Sequence, residues 1–316
     1  MNVTNKYGLP ASIFDVLKGK DFNLADQKDN IFWLTKLINS PKIVTLEKRH
    51  WNEMEEDVSE KVFRVLGQAM HATIQYSQDK ANRLTEEKAY IDCETMTVHT
   101  LPVGAKLSDQ KWYSDDKIFL SLRLDCYDGT DKVVEDYKVT SVWGVIIDGQ
   151  PKPEWIAQNS IAAYVLRKIG FEVLGQRNIL ILRDWSKGKV GSDPKYPAIP
   201  MHVYATTALW GDKEVEEYIR ERVRLHVAAM SAPDDGIKEC SLEDRWGKQE
   251  VVAVMKTGRK TAVKLYPTMT EAKMHAAKEK ELYVEHRPGE DTRCENYCSV
   301  KAFCHYYRGK KNGGAK

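Results

Sequence analysis

Apolar residues recur three and four apart within residues 51–80, where Val58, Val62, Val65, Leu66 and Ala69 fall at helical spacing. That spacing predicts one long helix over the segment. Residues 153–169, PEWIAQNSIAAYVLRKI, predict a second helix, with Pro153 near its start, where a missing N–H costs nothing. Residues 211–230 predict a charged amphipathic helix. Strands are predicted over 86–98 and 117–147, and the apolar run in NILILRDW, residues 178–185, predicts a buried strand. GKVGSDPKYPAIP, residues 188–200, is rich in Gly and Pro and reads as a loop. Strands, then a helix, then a strand predict an α/β fold with helices packed on a sheet. The tail GKKNGGAK, residues 309–316, is expected to be disordered.

Within the second strand region lies LDCYDGTDKVVEDYK, residues 124–138, which reads as two strands joined by a tight turn. Gly129 can supply the positive φ that such a turn demands. Strand side chains alternate faces, so Asp136 and Lys138 point one way and Glu135 the other. With the turn at Gly129-Thr130, Asp125 becomes the diagonal neighbour of Asp136. With the turn at Asp128-Gly129 the register shifts, but the three residues still share a face. Two carboxylates and a lysine therefore converge. Hard cations such as Mg²⁺ and Mn²⁺ prefer oxygen ligands, and a lysine can orient a water or offset charge on a phosphate. Such a set suits metal-assisted phosphodiester hydrolysis, with the Tyr137 carbonyl as an extra oxygen ligand. Its bland counterpart is a solvated Asp–Lys pair on an exposed strand.

The chain has 316 residues, enough for one large domain or two modest ones, and its net charge of +2 does not by itself mark a nucleic-acid binder. Cations cluster locally in MKTGRKTAVKLYP, which reads as a hairpin turning near Gly258. Its Lys256, Arg259, Lys260 and Lys264 suit phosphate contacts, or else the solvated edge of a sheet. No run of about 18 apolar residues occurs, so no membrane partner is expected. The start MNVTNKYGLP lacks the pattern of a secretory signal. Cys294, Cys298 and Cys304 sit within eleven residues, spacing that points to a bound metal or cluster, and Cys240 is taken as the fourth ligand. Four thiolates suit tetrahedral zinc or an iron–sulfur cluster equally well.

In chain order, the Gly67-Gln-Ala-Met-His71 segment, Asp125, Asp136-Tyr137-Lys138, Gln158 and the cysteine triplet together resemble the PD-(D/E)xK nuclease superfamily in its RecB-like branch. The resemblance spans about Pro41 to Tyr307. Phage-encoded exonucleases of that branch are similar, and the cysteine arrangement is similar to that of the CRISPR adaptation nucleases. The chain departs from the pattern at two points. Ala162 stands where the family carries Tyr, with Tyr164 two residues on, and the cysteines run C-x3-C-x5-C rather than C-x2-C-x5-C.

The resemblance implies a restriction-endonuclease-like core with a mixed central sheet and flanking helices. The nuclease core would span 51–235, after an N-terminal helical or irregular segment at 1–50. A C-terminal segment at 236–308, carrying the basic hairpin, would be tied back by the cysteines. His71 and Glu87 would join Asp125 and Asp136 on the metal, Gln158 would position substrate, and the cysteines would hold a structural 4Fe-4S cluster, with Zn²⁺ as the alternative. The implied activity is that of a metal-dependent DNA exonuclease acting on linear ends or single strands in recombination, repair or replication. Its setting would be a bacterial or phage-infected cytoplasm, with a helicase or recombination partner. The rival reading is a non-catalytic DNA-binding or assembly factor on the same fold.

Overall fold

The computed structural model describes residues 1–19, 23–77, 82–102 and 104–313. It divides into two compact units, the first comprising Met1–Asn39 and Lys48–Ser231, the second Ser40–Glu47 and Ala232–Lys316. Residues 1–50 are thus shared between the units rather than set apart.

Unit 1 is an α/β unit. Its larger sheet contains β4 (Arg83–Thr85), β8 (Cys126–Asp128), β9 (Val133–Thr140), β10 (Gly175–Leu182) and β11 (Met201–Thr206), in the order β11-β10-β9-β8-β4. Only β9 and β10 run parallel, so the sheet is mixed. A second sheet holds β2 (Ile31–Trp33), β5 (Lys88–Asp92), β6 (Val98–Thr100) and β7 (Phe119–Arg123) in the order β2-β7-β5-β6. A parallel pair joins β1 (Asn2–Thr4) to β3 (Glu55–Asp57). The helices are α1 (Ala11–Lys18), α2 (Leu34–Ile38), α3 (Pro41–Arg49), α4 (Val62–Ser77), α5 (Val142–Asp148), α6 (Pro153–Lys168) and α7 (Asp212–Ser231); α3 runs across the division between the units.

Parallel neighbours need a crossover, and α5 and α6 supply it between β9 and β10. The helix α6 buries Ile161, Tyr164 and Leu166 against Ile91, Leu120 and Leu122 of the second sheet and against Val215 and Ile219 of α7. Each large apolar side chain fully buried there contributes about 1.5–3 kcal/mol. This packing fixes α6 and thereby the orientation of Gln158 on its first turns.

Several expected elements differ. The segment 51–80 is not one helix, because Asp57 ends β3 and gathers four hydrogen bonds, from the Thr4 and Ser59 hydroxyls and the Lys6 and Ser59 amides. Helix begins only at Val62, after a 3₁₀ turn, and residues 78–81 lie outside the described residues. Residues 142–148 form α5 and not strand. Ser141 caps the helix by accepting from the Trp143 N–H, Asp184 accepts from the Val142 N–H, and Gly149 closes it in the left-handed conformation. The tail is helical as far as Gly313, and residues 314–316 lie outside the described residues.

Unit 2 contains a three-stranded sheet of β13 (Val251–Lys256), β14 (Lys264–Tyr266) and β15 (Leu282–Arg287), in the order β14-β13-β15. The helix α8 (Met269–Ala276) packs Ala272 on Val252 and Val254 of that sheet. A short pair, β12 (Gly247–Lys248) with β16 (Glu290–Asp291), leads into α9 (Thr292–Asn296) and α10 (His305–Gly313). Among the described residues, no helix is long and apolar enough to cross a membrane.

Candidate functional site

The β8–β9 hairpin closes through four residues, pairing Asp128 with Val133 and Cys126 with Glu135. This register sets Asp125, one residue before β8, directly across from Asp136 rather than diagonal to it. Gly129 serves the turn by close approach, not by positive φ. Its amide donates to the Asn82 carbonyl at 2.8 Å, and a Cβ would meet that same oxygen at 2.8 Å. The positive φ, 56°, falls on Lys132.

Asp136 is only 2% exposed and is surrounded by donors. Its Oδ1 accepts from Lys138 Nζ at 2.6 Å and from Gln158 Nε2 at 2.9 Å, while its Oδ2 accepts from Asn178 Nδ2 at 3.0 Å. Gln158 Oε1 in turn accepts from Lys138 Nζ at 3.2 Å, so the amide ties acid and lysine into one triangle. Asn178 was not among the sequence candidates. It lies directly beside Asp136 in the parallel β9–β10 register, and the signal for it was an amide opening the apolar run NILIL. Tyr164, by contrast, belongs to the core: its hydroxyl shares one proton between the Met96 carbonyl, at 3.1 Å, and the Glu216 carboxylate, at 3.0 Å.

Asp125 accepts the Tyr137 N–H at 3.2 Å and faces His71 Nδ1 at 3.6 Å. Burial, with Asp136 nearby as the next cause, pushes the Asp125 carboxyl up to about 6, against the opposing pull of His71 and Lys138. His71 comes from α4, where its Nε2 lies 3.1 Å from the Tyr137 carbonyl. A carbonyl only accepts, so Nε2 donates to it and Nδ1 is the ring nitrogen that faces the acids. That bond also engages the Tyr137 oxygen, which therefore orients the imidazole in this arrangement instead of facing the acids as a ligand.

The second acid at His71 is Glu86, 4.0 Å away, and not the expected Glu87, which is exposed. Glu86 has a φ of 57°, rare for a residue with a side chain, and this link between β4 and β5 turns its carboxylate inward. Ligand atoms of His71, Glu86 and Asp125 lie within 4.8 Å of one another, the one such group among the described residues. Two carboxylates facing one imidazole nitrogen suit a hard divalent cation. Asp136, held by its three donors, stands directly beside this group.

In unit 2, Cys240, Cys294, Cys298 and Cys304 line one cavity together with Lys42, Ile43 and Tyr306. Burial raises the thiols of Cys240 and Cys298 and pushes Cys294 up to about 12, so metal binding there must displace protons. Four thiols lining one cavity suit either a tetrahedral zinc or an iron–sulfur cluster.

The basic hairpin turns at Gly258 with φ 85°. Lys256 is engaged, 3.3 Å from both Glu279 and Glu281. Lys264 lies over the Tyr266 ring, and Arg259, Lys260 and Lys264 are exposed.

No family model matches the chain, and no curated protein matches it. Among solved structures it is similar to one titled "Crystal structure of SSO0001", at 14% identity and a TM-score of 0.42, over 69% of this chain and 86% of that one.

Proposed function

We propose that this protein is a metal-dependent deoxyribonuclease, working as an exonuclease on linear or single-stranded DNA ends. The observation that carries the reading is the convergence of Asp125, Asp136 and Lys138 with His71 and Glu86 at one end of the β8–β9 hairpin. His71 Nδ1, Glu86 and Asp125 would hold Mg²⁺ or Mn²⁺, with Asp136 joining through an oxygen now shared with its donors. A divalent ion so held lowers the pKa of a coordinated water and neutralises charge on the phosphate. The Tyr137 carbonyl keeps the His71 ring turned toward the acids. Lys138 directs an ammonium at the oxygen that gains charge in the transition state, and Gln158 holds it there.

Cys240, Cys294, Cys298 and Cys304 would hold a structural iron–sulfur cluster, with Zn²⁺ as the alternative. The restriction-endonuclease-like fold family, a role in recombination, repair or replication beside a helicase or recombination partner, and a bacterial or phage-infected cytoplasm follow from the resemblance and belong to the same proposal.

A second reading is favoured by one observation: both oxygens of Asp136 are already engaged. On that reading the protein binds DNA without cutting it. The test is incubation of protein prepared without oxygen with end-labelled linear DNA, closed circular DNA and Mn²⁺, beside Asp136→Ala. Shortening of linear DNA alone, absent in the variant, supports the exonuclease; cutting of circles makes the enzyme an endonuclease. Firm binding without cutting, with either Mn²⁺ or Mg²⁺, selects the second reading.

A further inference from the structure

The helix α4 carries more than His71. None of its described side chains is buried, and Val62, Phe63 and Leu66 are 42%, 50% and 40% exposed. Phe63 lies eight residues before His71, about 12 Å along the helix and about 80° around it, with Gly67 midway. A Cβ on Gly67 would meet nothing within 4 Å, so this glycine serves no packing among the described residues. It leaves open space between the metal-ligand set and Phe63.

The guanidinium of Arg183 lies 4.0 Å from the centroid of the Phe63 ring. The Arg183 backbone donates to the Thr140 carbonyl at 3.0 Å, which fixes this pair at the end of the strand that carries Asp136 and Lys138. Just beyond β9, a Cβ on Gly144 would meet only the Thr140 hydroxyl, at 3.8 Å. Lys187 and Lys189, exposed in the loop after Arg183, add positive charge. A half-exposed aromatic ring capped by a planar cation, continuous with a site suited to phosphate chemistry, matches the chemistry of an unpaired nucleobase. Bases stack on aromatic rings and guanidinium planes, and the flanking cations meet the phosphates. A base held in a duplex keeps its faces against its neighbours, so the arrangement selects single strands.

We propose that Phe63 and Arg183 form a stacking platform for a base of single-stranded DNA, a few nucleotides from the scissile phosphate. This rests on the nuclease reading for the scissile phosphate, but binding tests it separately. The probes are fluorescent oligo(dT) and an abasic strand of equal length, which keeps the phosphates and lacks the bases. Their binding is followed by anisotropy in chelator.

Wild type is expected to favour oligo(dT) over the abasic strand by about 5- to 150-fold, the equivalent of one stacked base. Phe63→Ala should lose that preference and Phe63→Trp should restore it. Because Phe63 is half exposed, a general folding defect would weaken both probes alike and leave the ratio unchanged. A Phe63→Ala protein that keeps the wild-type ratio overturns the platform, as does a wild type with no preference for bases. A Phe63-dependent preference in a protein that never cuts DNA with Mn²⁺ retains the platform and removes the nuclease. Cutting with an unchanged ratio does the reverse.

Discussion

Replacing Asp125 by Asn should stabilise the metal-free protein while removing its metal site. Asp125 is 14% exposed, and burial beside Asp136 lifts its carboxyl from the ordinary 3.8 to about 6. A folded-state carboxyl that holds its proton more tightly than the unfolded chain makes stability fall as pH rises between those two values. At 1.36 kcal/mol per pH unit, ionising Asp125 costs the metal-free fold at most about 3 kcal/mol above pH 6. Asn keeps an acceptor for the Tyr137 N–H and carries no charge, so the variant should gain about 1–3 kcal/mol at pH 8. That gain corresponds to roughly 2–4 °C per kcal/mol for a unit of this size. At pH 4 the advantage should vanish. Mn²⁺ at about a thousand times the wild-type Kd should invert the order, since about 4.1 kcal/mol then accrues to the wild type alone. Urea unfolding of both proteins in chelator at pH 4 and pH 8, then with Mn²⁺ at pH 8, measures all three effects. A variant no more stable than wild type at pH 8, or equally stabilised by Mn²⁺, would refute the reasoning.

Other changes probe the same structure. Glu86→Gln should weaken Mn²⁺ binding at least about tenfold by calorimetry, while Glu87→Gln leaves it unchanged; equal effects would return the acid to Glu87. Asn178→Ala removes a buried donor from Asp136 and should cost about 1–3 kcal/mol in urea unfolding. Gly129→Ala, whose Cβ would sit 2.8 Å from a backbone carbonyl, should cost about 1–3 kcal/mol although its φ is ordinary; a neutral substitution would show that the hairpin loop gives way. Cys298→Ser, purified without oxygen, should lose bound iron by elemental analysis, and zinc at one ion per chain in the wild type would decide against the cluster.

The acid–acid–lysine face was legible because strand alternation has a period of two, and both two-residue turns and the four-residue loop found here keep that parity. The loop length was not, and it decides that Asp125 sits opposite Asp136. Glu86 displaced Glu87 through a single positive φ in an irregular link, which no periodicity encodes. The segment 142–148 is apolar and partly β-branched, hence the strand expectation, but caps at Ser141 and Gly149 make it helical. Lys256 read as a free cation because Glu279 and Glu281, its partners, lie more than twenty residues away in sequence. The four cysteines were legible by spacing, and the cavity they share only from the fold.

The central claim is tested most directly by the rate of nucleotide release from end-labelled linear DNA, measured against Mn²⁺ concentration for wild type and Lys138→Ala. The account predicts no release without metal and saturation for both proteins at a similar Mn²⁺ concentration, with a plateau about 10²–10³-fold lower in the variant. Release without metal, or a plateau unchanged by the loss of Lys138, would contradict it.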